Sequence, residues 1–482
     1  MGSKNEEKSK IIEWRNRIQE GIDLNEYYSK LLDDLEELNK KYEAFRLILD
    51  KERVLEEVRK AENEKVSIPL IHYSAKDCLC TKGVETTAGS RILKGYIPPF
   101  NATVIEKLNK NGFILIGKTN MDEFGFGSFS INSGFETPRN AFNPELVAGG
   151  SSGGAAVATA LIDYHIGIAE STGGSISCPA AFNGVVGFTP TYGVISRWGL
   201  ISYANSLDKI GVMAHYTRDV EIVFNHMKGR DGKDSILIDY DSVKKQAKSK
   251  LRIAIVESLL DNCNEIIVKS FWETIDKLRS NYDIEVSSID IDIFKYAIPA
   301  YYIISTSEAS TNLAKYGGMR YGQQDKHYDS YFDEFFERHR SRFLGKEAKR
   351  RILLGTFARM AGYRNKYYMK ALKIRRVIIE EYKKIFGDFD LIATPTMPIL
   401  APRIDKAKEL SPIETYMLDF LTIPPNLAGM PHLSLPVRYD PLPIGIQFIA
   451  DHFGEEILFD IGKKWEDLYE YKHPRDMIGE IK

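Results

Sequence analysis

The chain has 482 residues, 43% hydrophobic and 27% charged, with 65 basic against 67 acidic side chains and a net charge of −2. Its length and composition support a large packed core. The charge balance excludes a globally basic nucleic-acid binder and an acidic disordered chain, and no apolar run approaches the roughly 20 residues that span a bilayer. Four cysteines, Cys78, Cys80, Cys178 and Cys263, lack metal-binding spacing and read as reduced thiols. The charged N-terminus has no apolar signal core, and Glu6 does not fit a myristoylation signal, so a cytoplasmic location is expected.

Residues 8–60 predict peripheral helices. Ile11, Ile12, Trp14 and Ile18 have helical spacing, as do Tyr27, Leu31, Leu32 and Leu35, with Asp23 and Asn25 as candidate caps. Residues 42–49 predict a short strand or turn, and a charged helix runs to about Ala61. From Ile68 a short apolar strand leads to Lys76. A helix at 102–110, a strand from Phe113, a loop over Thr119–Ser128, a helix from Ser152 to Leu161 and a strand from Ile166 follow. Further on come a strand at Leu251, a helix at 265–280, a strand at Ile284–Ile289 and long helices over 294–316 and 346–385. The last elements are a strand at Asp390, a helix at about 412–427, a hairpin from His432 and Ile444, and a helix over 455–470. Residues 320–343, rich in Tyr, Phe, Arg and His, read as an inserted, exposed or partner-facing segment. The alternation predicts an α/β core with a largely parallel or mixed sheet.

The candidate chemistry lies between Ala148 and Pro179. Gly149-Gly-Ser-Ser-Gly-Gly and Glu170-Ser-Thr-Gly-Gly-Ser-Ile-Ser set two serines beside paired glycines. Glycine permits positive φ and close approach of a ligand. Three readings stand at this point: plain tight turns, a phosphate-cradling loop before a helix, or a loop holding a nucleophilic serine with N–H groups near an oxyanion. No Gly-Lys-Ser/Thr follows the loop, which weighs against the phosphate reading. His72, His165 and His215 form no Ser–His–Asp pattern, which leaves lysine as the alternative base. Lys76 stands at a strand end, where active-site residues of α/β folds gather.

Together these residues resemble the amidase signature family, which uses a Ser–Ser–Lys triad. Lys76 and Ser151 are 75 positions apart, and Ser151 and Ser175 are 24 apart. The resemblance implies the amidase signature fold, with a central mixed, largely parallel sheet covered by helices on both faces in one large domain. Residues 66–482 would form it, and the helical region 1–65 would pack on it. Ser175 is implied as the nucleophile that forms an acyl-ester, Ser151 as the bridging serine after a cis peptide at Gly150, and Lys76 as the base. As a base Lys76 must be neutral, which requires burial to lower its reference pKa of about 10.4. The N–H groups of Thr172, Gly173, Gly174 and Ser175 are the implied oxyanion hole.

Further motifs are similar to the A subunits of the tRNA-dependent amidotransferases. They include Ile114-Leu-Ile-Gly-Lys-Thr-Asn-Met-Asp-Glu-Phe, Ser206-Leu-Asp-Lys-Ile-Gly and Asp419-Phe-Leu-Thr-Ile-Pro-Pro-Asn. This implies hydrolysis of glutamine, with ammonia passed to a B subunit that uses ATP and magnesium to amidate Glu-tRNA(Gln) or Asp-tRNA(Asn). A small C subunit would stabilise the pair. The chain itself would need no metal or cofactor and would meet tRNA mainly through its partner. By similarity Asp419 pairs with the substrate ammonium and Arg351 with its carboxylate, with Ser128 and Tyr302 in the same pocket. The alternatives are a stand-alone amidase acting on a small amide and a catalytically weakened scaffold subunit of the complex. The last is motivated by Ser171 and Ser177, which replace the acid and base of the family's usual Asp-Thr-Gly-Gly-Ser-Ile-Arg. The two serines are expected to exchange an ion pair for neutral hydrogen bonds.

Overall fold

The computed structural model describes residues 8–64, 70–324 and 331–474. Its centre is an 11-stranded sheet. The strands are β1 (Phe45–Ile48), β2 (His72–Lys76), β3 (Ile114–Thr119), β4 (Ile166–Ser171), β5 (Val186–Thr189) and β6 (Lys209–Ala214), then β7 (Leu251–Val256), β8 (Ile284–Ile289), β9 (Leu391–Pro395), β10 (His432–Arg438) and β11 (Ile444–Ala450). Their spatial order is β1-β3-β2-β4-β6-β5-β10-β11-β9-β7-β8. The sheet is mixed, as expected, and its parallel pairings fall in two triplets, β3-β2-β4 and β9-β7-β8. The pairings between and beside them are antiparallel, including the expected hairpin of β10 with β11.

Sequence periodicity did not place β5 and β6, which lie mid-sheet. Each contains a glycine that interrupts the apolar pattern. A Cβ at Gly211 would lie 2.2 Å from the Phe188 carbonyl oxygen, and one at Gly187 would lie 2.5 Å from the Ala180 side chain. Both glycines are required by close packing. The predicted helix over 346–385 is two helices, Lys346–Arg359 and Tyr368–Asp388, because Gly362 between them takes φ +86°. The predicted helix near 412–427 also divides, into Pro412–Met417 and Ile423–Ala428. Pro424 and Pro425 fit the first turn of a helix and not its interior. The strand predicted from Ile68 is observed from His72; Ile68 and Pro69 lie outside the described residues. Within 320–343, residues 325–330 also lie outside them. Phe332–Phe343 is a helix that buries Phe335 and His339 and exposes Phe332.

The N-terminal helices join the main core. The helix Lys10–Gln19 is capped by Ser9, whose hydroxyl accepts the Ile12 N–H and donates to Asp219. Asp23 caps the helix Leu24–Tyr42; Asn25, the other candidate, lies inside that helix. Trp14 is fully buried, donates from Nε1 to the Leu70 carbonyl at 3.2 Å, and meets the rings of Tyr27 and Tyr164 at 4.4 and 5.1 Å. Trp14→Ala is expected to lower unfolding free energy by about 3–5 kcal/mol, read from the shift in denaturant midpoint at unchanged slope.

Candidate functional site

β2 delivers Lys76 to the sheet's interior at its C-terminal end, and parallel pairing sets β4 beside it. Lys76 is fully buried. Its Nζ donates to Ser151 Oγ at 2.8 Å, to the Glu170 carbonyl at 2.9 Å and to Glu170 Oε2 at 2.9 Å. Sequence reasoning did not single out Glu170, although it lay in the quoted stretch. Ser151 follows a cis peptide bond from Gly150, as the resemblance implies. A Cβ on Gly150 would meet Asp122 Oδ2 at 2.4 Å, and one on Gly149, whose φ is +76°, would meet Pro179 at 2.7 Å. Close approach thus accounts for the first glycine pair.

The helix Gly153–Leu161 that follows is wholly buried. Its first two N–H groups are taken by Ser130 Oγ at 3.1 Å and the Asn120 carbonyl at 3.2 Å. This corrects the phosphate-loop reading, since these leading donors are turned to internal acceptors and away from solvent.

The second glycine pair lies under two other elements. A Cβ on Gly173 would meet Tyr301 Oη at 2.7 Å, and one on Gly174 would meet Thr422 Oγ1 at 2.3 Å. Asn426 Nδ2 donates to the Gly173 carbonyl. Ser175 lies in this turn, just before the helix Ser177–Phe182. Its N–H donates to Ser171 Oγ at 3.1 Å, so one of the four donors expected at the oxyanion has a local acceptor. No hydrogen bond joins Ser151 to Ser175 among the described residues. The expected exchange between Ser171 and Ser177 is half met. Ser171 accepts from the Ser175 backbone, while the buried Ser177 Oγ has no hydrogen-bond partner among the described residues.

The four pocket residues divide into two groups. Asp419 Oδ2 accepts from Ser128 Oγ at 2.7 Å and from Tyr302 Oη at 3.1 Å. Burial pushes its carboxyl up to about 6 against the pull of those bonds and of Arg351. Arg351 is buried among the rings of Phe126, Tyr203, Tyr302 and Tyr416, with its guanidinium carbon 5.2–5.7 Å from their centres. Its Nε donates to Glu347 Oε1 at 2.8 Å and one Nη to Tyr203 Oη at 2.7 Å. Burial acts to raise the Glu347 carboxyl, but Arg351 and the Tyr416 hydroxyl hold it below its ordinary value. Sequence reasoning missed Glu347, Tyr203, Tyr416 and Asn426. Glu347 had a signal, four residues before Arg351 on one helix, and Asn426 closes the quoted motif that begins at Asp419. A cavity of about 260 Å³ opens beside this group, lined by Ser128, Glu347, Arg351 and Tyr416 among others.

Residues 26–459 match the family described as Amidase. The A subunit of glutamyl-tRNA(Gln) amidotransferase from Sulfurisphaera tokodaii is 42% identical over 474 residues, covering 96% of this chain and 99% of that protein. The protein of the same description from Archaeoglobus fulgidus is 39% identical over 458 residues, 94% of this chain and 98% of that one. The crystal structure of the Thermotoga maritima counterpart superposes with a TM-score of 0.75 at 31% identity, covering 93% of this chain and 94% of the other.

Proposed function

Because the chain belongs to the amidase family, and within it to the glutamyl-tRNA(Gln) amidotransferase A subunits, we propose that it releases ammonia from glutamine for use by a partner protein. The partner, a B subunit with ATP and magnesium, amidates Glu-tRNA(Gln) or Asp-tRNA(Asn), and a small C subunit steadies the pair. The observation that carries this reading is a pair of buried opposite charges on either side of Tyr302, whose hydroxyl donates to Asp419 and whose ring centre lies 5.3 Å from the Arg351 guanidinium carbon. Asp419, held by Ser128 and Tyr302, suits an α-ammonium; Arg351, with one edge anchored by Glu347 and Tyr203, presents its remaining N–H groups to an α-carboxylate.

Ser175 Oγ attacks the side-chain amide carbon of glutamine, its proton passing to Ser151 while Ser151 passes its own to neutral Lys76. The oxyanion is met by N–H groups of the turn 172–175. The relay then runs backwards, ammonia leaves with the returned proton, and water releases glutamate from the acyl-ester by the same steps.

Ammonia release is measured for the chain alone and with its B and C subunits, with mischarged tRNA as acceptor. Asp419→Ala is expected to raise KM for glutamine by about 10–100-fold with kcat within a few-fold, the size of one charge-assisted contact. In the unaltered protein KM rises as pH falls through about 6, because a protonated Asp419 no longer attracts the ammonium. A KM that ignores both changes removes the pocket assignment. Tight association with no ammonia release under any condition favours the scaffold reading.

A further inference from the structure

Charge is spread unevenly along this chain. Between Lys346 and Arg376 stand eleven basic side chains and one acidic, Glu347, on a protein whose net charge is −2. The stretch forms the helix Lys346–Arg359, the start of the helix Tyr368–Asp388 and the turn between them. Several of its cations have partners within the chain. Arg350 and Arg351 pair with Glu347, Arg376 pairs with Glu380, and Arg375 donates to Ser206 and to the Leu427 carbonyl. Arg364, Lys366, Lys370 and Lys373 do not: all four are exposed, and their side chains make no ion pair or hydrogen bond among the described residues. Lys370 and Lys373 share one face of the second helix, and Lys366 stands one turn before Lys370. Like charges at that spacing repel, and within the chain nothing offsets the repulsion.

Aromatic rings accompany these cations. Phe357 and Tyr363 are exposed with their ring centres 4.6 Å apart, Tyr363 and Tyr367 stack at 6.1 Å, and Lys366 Nζ lies 5.7 Å from the Tyr367 ring centre. A groove of about 460 Å³ runs beside them, lined by Arg359, Arg364 and Tyr368 together with Thr311 and Asn312 of the helix Ala297–Asn312. The acid of this groove, Glu308, is turned to Ser206, accepting from its backbone N–H at 2.9 Å and from its Oγ at 2.6 Å. Unpaired cations interleaved with exposed rings suit a polyanion that carries flat bases: the cations meet phosphates and the rings stack. RNA offers both on every nucleotide, and the reaction proposed for the complex already brings an RNA to it.

We propose that the two-helix segment from Lys346 to Arg376 is this chain's own contact surface for the sugar–phosphate backbone of the tRNA. The identity of the RNA rests on the amidotransferase reading. Arg359 lies eight residues beyond Arg351, about 12 Å along the same helix, so a tRNA seated here lies beside the glutamine pocket. The ammonia source is then tied to its acceptor directly, and not through the partner subunit alone.

The test is the binding of fluorescently labelled, deacylated tRNA to the full chain, followed by anisotropy over a series of salt concentrations. The combined variant Arg364→Gln, Lys366→Gln, Lys370→Gln and Lys373→Gln removes the unpaired charges without touching the core or the glutamine pocket. It is expected to raise Kd for tRNA at low salt by at least about tenfold and to lower the slope of log Kd against log salt by roughly 3, the share of four phosphate contacts. Ammonia release, KM for glutamine and the melting temperature stay as in the unaltered protein. An unaltered chain that does not bind tRNA at low salt overturns the proposal, and so does a variant with the original Kd and salt slope. A variant that keeps its tRNA affinity but no longer assembles with the partner subunits overturns it in favour of an acidic protein at this surface. Failure of the amidotransferase reading looks different: there the unaltered complex leaves mischarged tRNA unamidated, whatever RNA the chain binds.

Discussion

Ser175→Ala is expected to lower kcat for ammonia release by about 10⁴-fold or more and to leave the melting temperature nearly unchanged. The chemical half follows from the proposed role of Ser175 as the nucleophile that carries the acyl-ester. The stability half follows from its surroundings. Ser175 Oγ makes no hydrogen bond among the described residues, while its backbone N–H, the group tied to Ser171, is untouched by the substitution. Glutamine is expected still to bind, because the proposed contacts at Asp419 and Arg351 remain, and its Kd by calorimetry should match the KM of the unaltered protein within a few-fold. Residual turnover within tenfold of the original would move the nucleophile elsewhere.

Lys76→Met is expected to abolish turnover to the same degree with the opposite structural cost. Removing Nζ leaves Ser151 Oγ, the Glu170 carbonyl and Glu170 Oε2 without the donor they share, and the Glu170 charge without its counter-ion. Stranding a buried charge costs on the order of 3–5 kcal/mol, so the melting temperature should fall by several degrees. Combining Lys76→Met with Ser175→Ala should reduce kcat no further than either alone, because both groups serve one proton path in the proposed relay. A double variant slower by the product of the two effects would show that they act separately.

The three residues of the proposed triad were legible because each sits in a local pattern: paired glycines for the serines, a strand end for the lysine. The glycines were read as allowing positive φ and close approach of a ligand; positive φ is found at Gly149, and what approaches a Cβ at 149, 150, 173 or 174 is the protein itself. Glu170 was present in the same stretch yet carried no signal. Its contact with Lys76 spans 94 positions and exists only because β2 and β4 pair in parallel. Tyr203 and Tyr416 reach Arg351 and Glu347, and Asn426 reaches the Gly173 carbonyl, from separate segments with no spacing that links them to Arg351 or Gly173. Periodicity also overran its limits at 346–385, where apolar spacing continues through a glycine that ends the helix, and underran them at β5 and β6, where glycine hides a buried strand.

The turn around Ser175 is roofed by residues that follow it much later in the chain: Tyr301 over Gly173, Thr422 over Gly174, and Asn426 on the Gly173 carbonyl. A growing polypeptide therefore contains Lys76, Ser151 and Ser175 long before it contains the side chains that shape the loop between them. A nascent chain that lacks Thr422 and Asn426 is therefore expected to have no shaped loop at the proposed nucleophile, and so to release no ammonia, a freely diffusing product that is wasted if no acceptor stands ready.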